Sequence, residues 1–282
     1  VLAVNHMLLF ELAVTLALAS SASAGGAGPD GFVRVRDAAA APFVLVEQGQ
    51  PSAEIVVASQ SELIRNAADW ISAFARDRTG AQLKLVNAAK PGSRQVVVAV
   101  GNDPGLADLC AAGLELDPRV GPEGFVLQRV SAAAHGEALV CWSPAELGCR
   151  YGLIELLRTL QVCGQNVTTS VARVADRPQF PVRICYVNFA EHLQNAFNPN
   201  VLFDVPVNRW SRAEWERFID MVSAFRYNVF EFWLVPTLFS PEALRGGKIQ
   251  TEFADTINHV IAYAKRRGVA VHPIQAVNTV GQ

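Results

Sequence analysis

From Asp176 to Pro236 the hydrophobic positions change their period twice. DRPQFPVRICYVNFAEH enters a short apolar run through prolines, SRAEWERFIDMVSAFRYN spaces its apolar residues as a helix does, and VFEFWLVP is apolar over strand length. Strand, helix, strand in that order is the signature of a βα unit in a parallel sheet. A second unit follows, with TEFADTINHVIAYAKRRG as helix and VAVHPIQAVNTVG as strand and loop, and the sequence stops at Gln282. Residues 176–282 thus predict the first three βα units of an incomplete (β/α)8 TIM barrel, with the remaining strands beyond Gln282.

Upstream, over residues 30–175, the pattern predicts a mixed-sheet α/β domain. FVRV and FVLV read as short strands joined by an Ala-rich link, and EIVVA as another strand. SQSELIRNAADWISAFARDRTG is a helix whose apolar face is Leu63, Ile64, Ala67, Trp70, Ile71 and Phe74. Ser59 and Glu62 form its expected capping box, and Gly80 stops it. AQLKLV alternates as a half-buried strand, and QVVVAVG is a continuous apolar run suited to the centre of a sheet. EGFVLQRV and EALVCW predict a hairpin. SPAELGCRYGLIELLRTLQ predicts a second long helix, capped by Ser143 and Glu146 with Pro144 in its first turn. The expected domain is a sheet of about five to seven strands carrying these helices, and VARVADRPQFP is its extended linker to the second domain.

Composition narrows the function. With 51% hydrophobic and 18% charged residues the chain is globular. A net charge of −2 without a basic stripe argues against a nucleic-acid partner. Residues 1–24 hold an apolar run ending Ala22-Ser23-Ala24, the pattern of a signal peptide cleaved before Gly25. That run is shorter than the roughly 20 residues of a membrane span, so a secreted or periplasmic protein with no span after signal removal is expected. The cysteines at 110, 141, 149, 163 and 185 form no C-x-x-C pair. No Gly-rich phosphate loop and no ligand-like His or Glu spacing occurs, so neither cofactor nor metal is expected.

Several motifs then point to a family. EGFVLQRV resembles the E-G-Y-x-L strand of the accessory domain of family 20 glycoside hydrolases, the β-N-acetylhexosaminidases. ALVCWSPAELGCRYGLIELLRTL resembles that domain's apolar strand, small-residue turn and Y-G-x-x-T/E-L-x-x-L helix. DRPQFPVR resembles the D-x-P-x-F-P-x-R-G entry to the first barrel strand. RYNVFEFWLV resembles the second strand, K-M-N-x-L-H-W-H-L, and AKRRGVAVHP the third, A-x-x-R-G-I-x-V-I-P. The α-glucuronidases are a looser match. The resemblance implies the N-terminal part of an exported hydrolase acting on O-glycosyl bonds of a poly- or oligosaccharide.

The same resemblance proposes site residues. Arg183 falls on the family's substrate-binding arginine, and the alternative job for its guanidinium is an ion pair between domains. Asn188 stands where the family carries Asp, Glu191 where it carries Arg, and His192 matches its His. Glu231-Phe232-Trp233 replaces H-W-H, and Ile274 replaces a Glu. The substrate-binding candidates are therefore Arg183, Asn188, His192, Glu231 and Trp233, with His272, Gln275 and Asn278 closing the third strand. An unpaired charge in an apolar strand is costly, so Glu231 is expected to face the barrel mouth or to enter a salt bridge. Trp233 is either a sugar-stacking platform or packing. In the family an Asp-Glu pair ends the fourth strand and serves a substrate acetamide that acts as nucleophile. No Asp-Glu dipeptide occurs in residues 176–282, which places the catalytic carboxylates beyond Gln282. The replaced positions leave a second reading, a non-catalytic carbohydrate-binding protein on a degenerate hydrolase scaffold.

Overall fold

A computed structural model describes residues 30–132, 136–187, 210–234 and 251–275, and the expected signal segment lies outside them. The chain divides into two compact units, Val1–Arg177 and Pro178–Gln282. Strands of the first are β1 Val35–Glu47, β2 Gln50–Pro51, β3 Glu54–Val57, β4 Leu85–Val86, β5 Gln95–Val100, β6 Phe125–Ala132, β7 Gly136–Ser143, β8 Gln161–Cys163 and β9 Asn166–Asp176. They form one mixed sheet in the order β2-β1-β9-β6-β7-β5-β3-β4, with β8 paired to β9. Its helices are α1 Glu62–Thr79, α2 Leu106–Ala111 and α3 Glu146–Thr159.

β5 shows how sequence sets this arrangement. Its run QVVVAV lies parallel to both β3 and β7, and successive side chains enter opposite cores. Val96 and Val98 join Leu139 and Cys141 in the core that takes in Ile64 and Ile71 of α1 and Leu153 of α3. Val97 and Ala99 join Val140, Trp142 and the α2 residues Leu106 and Leu109 on the other face. A strand buried on both faces has no polar side, hence the unbroken apolar run.

Helix α3 lies close on the sheet because two of its inward positions, Gly148 and Gly152, carry no side chain. A Cβ at Gly148 would stand 2.1 Å from Ser143 Oγ and 2.2 Å from the Gly124 carbonyl, and one at Gly152 would stand 2.4 Å from Cys141 Sγ. Arg150, fully buried, ties α3 to α1. Its Nη1 donates to the Leu63 carbonyl at 3.2 Å and to Asn66 Oδ1 at 2.9 Å, and the guanidinium lies 4.8 Å from the Trp70 ring centroid.

Several local expectations are corrected. FVRV and FVLV are not separate strands; β1 runs through the alanines, its pairing with β9 absorbing register shifts between Ala38 and Phe43. VARVAD is not linker, because β9 extends to Asp176 and pairs with both β1 and β6. The sheet therefore holds nine strands rather than five to seven. After β9, Arg177 is pinned: Nη1 and Nη2 donate to the Asp30 carboxylate at 2.6 and 2.7 Å, and Nη1 also donates to the Arg119 carbonyl. This contact holds the Asp30 carboxyl down at about 2. The N-caps also differ. α1 begins after Ser61, whose hydroxyl donates to Glu146 across the helix pair, while Ser59 Oγ accepts from the Ser61 N–H. α3 begins after Ala145, and Ser143 Oγ instead donates to the Gly124 carbonyl at 2.7 Å.

The second unit contains β10 Ile184–Val187, α4 Arg212–Ala224, β11 Val229–Leu234, α5 Thr251–Lys265 and β12 Ala270–Gln275. The strands are parallel in the order β10-β11-β12, as the βα pattern predicts. Ser211 and Glu214 close a full capping box at the start of α4. Trp215, Ile219 and Val222 of α4 and Val260, Tyr263 and Ala264 of α5 pack with Phe230 and Phe232 of β11. The helices are locked together by a polar cluster. Asp220 accepts from Tyr263 Oη at 2.9 Å and from Arg267 Nε at 2.8 Å, and Ser223 Oγ donates to the Arg267 carbonyl at 2.8 Å.

Two outcomes follow from this packing. Gly148→Ala forces helix and strand apart and is expected to lower unfolding free energy by about 1–3 kcal/mol, whereas Gly92→Ala, with open space around it but a left-handed backbone, loses only its conformational preference; urea midpoints compare the two. Burial, assisted by the Asp220 charge, pushes the Tyr263 phenol up to about 12. An unfolded tyrosine ionises near pH 10, so this stabilisation is complete below about pH 10 and is lost as pH rises toward 12. Stability measured across that window should fall less steeply in Tyr263→Phe than in the parent.

Candidate functional site

The face of the three-stranded sheet turned away from α4 and α5 carries the polar residues. Parallel register aligns Tyr186 with Glu231 and Glu231 with His272, so one rung crosses all three strands. Residues in register on neighbouring strands share a face. On the opposite face Cys185, Phe230, Phe232 and Val271 belong to the helix-covered core. Alternation therefore frees Glu231 from its aromatic neighbours in sequence, which point the other way.

The geometry of the rung is open but organised. Glu231 Oε1 lies 3.6 Å from His272 Nδ1, and the two side chains are 23% and 57% exposed. That separation exceeds a hydrogen bond, yet it is an ion-pair distance whenever the imidazole is protonated. On the other side, the Tyr186 phenol is pushed up by partial burial and by the Glu231 charge. A carboxylate accepts hydrogen bonds only, an imidazole accepts or donates, and a phenol does both. Side by side they form a strip suited to hydroxyl groups of a polar ligand.

The other candidates fall as follows. Arg183 sits just before β10, at the amino end of the strand, and its guanidinium is engaged by main chain. Nε donates to the Arg226 carbonyl at 2.5 Å and Nη1 to the Phe180 carbonyl at 2.6 Å. Its own N–H donates to Asn228 Oδ1 at 2.8 Å, and Asn228 Nδ2 donates to the Pro181 carbonyl, so this cluster sets the entry to β10 and β11. Trp233 pairs with Ile274, and Leu234 with Gln275, through the backbone of β11 and β12; the Trp233 and Gln275 side chains lie outside the described residues. Asn188, Glu191, His192 and Asn278 also lie outside them. Tyr186 escaped the sequence reading, and so did the neighbourhood of Glu231 and His272. The alternation of Ile184 and Tyr186 with Cys185 was the available signal; the register joining strands distant in sequence was not.

Among the described residues no group of three or more His, Cys, Asp or Glu is placed to hold a metal ion. No helix among them is long and apolar enough to cross a membrane.

No protein-family model matches the sequence, and no curated protein does. Solved structures match in fold. The family GH20 β-N-acetylhexosaminidase of Streptomyces coelicolor A3(2) aligns with a TM-score of 0.53 at 15% identity, covering 85% of this chain and 44% of that one. The GH20 exo-β-N-acetylglucosaminidase of Vibrio harveyi, solved with N-acetylglucosamine, aligns at 0.51 and 15% identity, over 85% and 34%. A family GH115 4-O-methyl-α-glucuronidase, BtGH115A, with specificity for decorated arabinogalactans, aligns at 0.52 and 16%, over 80% and 29%. The chain spans less than half the length of each. The fold is thus similar to that of the GH20 hexosaminidases, as the motifs imply, and at this identity the likeness is one of fold.

The charge of Glu231 in register with Tyr186 has a measurable signature. Glu231→Gln removes the negative charge beside the phenol, so the Tyr186 ionisation midpoint should drop toward that of an ordinary tyrosine while the part due to burial persists. Tyrosine-resolved NMR titration of parent and variant reads this directly, and an unmoved midpoint refutes the rung.

Proposed function

We propose that the chain is the N-terminal part of an exported glycoside hydrolase acting on O-glycosyl bonds of a poly- or oligosaccharide. Residues 30–177 serve as the accessory α/β domain, and residues 178–282 supply the first βα units of a TIM barrel whose catalytic carboxylates lie beyond Gln282. The observation that carries this reading is the order of parts. A large mixed sheet with helices is followed by parallel βα units, in a chain whose fold aligns over 85% of its length with GH20 structures. In barrels of this type the reacting groups gather at the carboxyl ends of the strands. Glu231, with Tyr186 and His272 in register beside it, is the proposed sugar-facing strip of β10–β12, and Trp233, Asn188 and His192 remain the sequence's further candidates for sugar contact. Arg183 contributes by fixing the strand entry, and its guanidinium is the family-like candidate for a sugar contact.

The second reading, a non-catalytic carbohydrate-binding protein, is favoured by one observation. Residues of other types stand at family positions: Asn188 at an Asp, Glu231-Phe232-Trp233 at H-W-H and Ile274 at a Glu.

Extending the encoded chain by about 200 residues, the length that completes a barrel, separates the readings. The hydrolase reading expects the extended, secreted protein, beginning at Gly25, to cleave oligosaccharides while the 282-residue chain does not. An extended protein that binds oligosaccharides without cleaving them establishes the second reading, and one that does neither removes both.

A further inference from the structure

The first unit contains a cleft of about 460 Å³ at the amino ends of β3 and β5, lined in part by Ser52, Glu54, Lys84, Lys90, Ser93 and Arg94. These residues come from separate segments held in register by the sheet. The Ile55 N–H donates to the Lys84 carbonyl and the Glu54 N–H to the Arg94 carbonyl, so the two basic residues flank β3 on either side. The turn carrying Lys90 is pinned from inside. Gln95, fully buried, donates from Nε2 to the Lys90 carbonyl at 2.7 Å and to Ser93 Oγ at 2.6 Å.

Arg94 is held in one orientation. Nε donates to Glu137 Oε2 at 2.7 Å and Nη1 to Ser52 Oγ at 2.7 Å, and the guanidinium lies 5.9 Å from the Phe43 ring centroid. Glu137 also pairs with Arg129 through its other oxygen, so it divides one negative charge between two guanidinium groups. The cleft lining carries Lys84, Lys90 and Arg94 against Glu54, with Glu137 paired to Arg94, a surplus of positive charge in a chain whose net charge is −2. A concave wall concentrates such a field, and the volume lies within the range of small-molecule sites.

Resting the choice of a sugar on the carbohydrate reading above, we propose that this cleft is a binding site for an acidic saccharide, taking the carboxylate or sulfate of one sugar between Lys84, Lys90 and Arg94 while Ser52 and Ser93 meet its hydroxyls. A fixed guanidinium matches the planar or tetrahedral oxyanion, and the two exposed lysines supply charge without a fixed geometry. The site belongs to the accessory unit, so it acts independently of any chemistry in residues 178–282. It retains the protein on an anionic polysaccharide.

Titration calorimetry of the 282-residue chain tests this with sodium glucuronate, glucose 6-sulfate, glucose and inorganic sulfate as probes. At least one acidic sugar should bind, weakening about fivefold between low and physiological salt because the contact is electrostatic, while glucose does not bind. The Lys84→Gln/Lys90→Gln variant, whose changes fall on exposed side chains, should melt like the parent and bind the acidic sugar about tenfold more weakly. Arg94 is left intact because it holds Ser52 and Glu137. No acidic sugar binding, equal binding of glucose, or an unchanged affinity in the double variant overturns the proposal. Inorganic sulfate binding as tightly as both acidic sugars overturns the saccharide assignment. None of these results bears on the hydrolase reading, which stands or falls with the extended chain.

Discussion

Parallel strands cannot be joined by a tight turn, and this constraint shapes both units. Their crossover connections place helices against the sheet, and each strand buries what it turns toward them. In the first unit β3, β5 and β7 meet the demand on both sides, α1 and α3 covering one face and α2 with its flanking loops the other. The glycines of α3 belong to the same solution, since a helix must come close to exclude water from an apolar strand. In the second unit α4 and α5 cover one face of β10–β12, and the other presents Tyr186, Glu231 and His272. Function is read from that difference. A carboxylate is tolerated in VFEFWL only because the period of two sends it away from Phe230 and Phe232.

The two polar clusters of the second unit illustrate opposite uses of ionisable groups. Asp220, Tyr263 and Arg267 close on one another between helices, each satisfying its neighbour, and the outcome is rigidity. Glu231 and His272 stop short of a hydrogen bond and stay accessible, which leaves their hydrogen-bonding capacity for a third party. The Arg183–Asn228 cluster is closer to the first kind: it binds carbonyl groups at the strand entries and holds two parallel strands in register.

Elements whose signal is local were legible in the sequence. QVVVAV is a central strand, EGFVLQRV and EALVCW form a hairpin, and three βα strands fall where the period changes. Errors arose where tertiary pairing overrides local preference. Alanines 38–41 carry little strand propensity, yet β1 continues past them as an irregular, bulged stretch between its β9 pairings at Ala38 and Phe43. VARVAD read as linker because its proline-rich neighbour suggested one. Ser59 and Ser143 have the right spacing for capping boxes, but each hydroxyl is used elsewhere, while the Ser211–Glu214 box, present in the sequence as S-x-x-E, formed as the motif dictates. At the candidate site Glu231 was legible as an anomaly within an apolar run. Its neighbours were not, because Tyr186 and His272 reach it only through strand register, which hydrophobic period does not encode.

The pairing of β1 with β9 has a consequence in time. The first strand of the unit finds its long partner only in residues 166–176, and Asp30 at its entrance is held by Arg177 at its exit. Contacts of such sequence separation close late, because the intervening loop entropy must be overcome before they form. A chain emerging from the ribosome can form α1 and the β6–β7 hairpin early, but it cannot complete this sheet until its last strand is synthesised. Until then β1 remains an exposed edge, vulnerable to pairing with another chain.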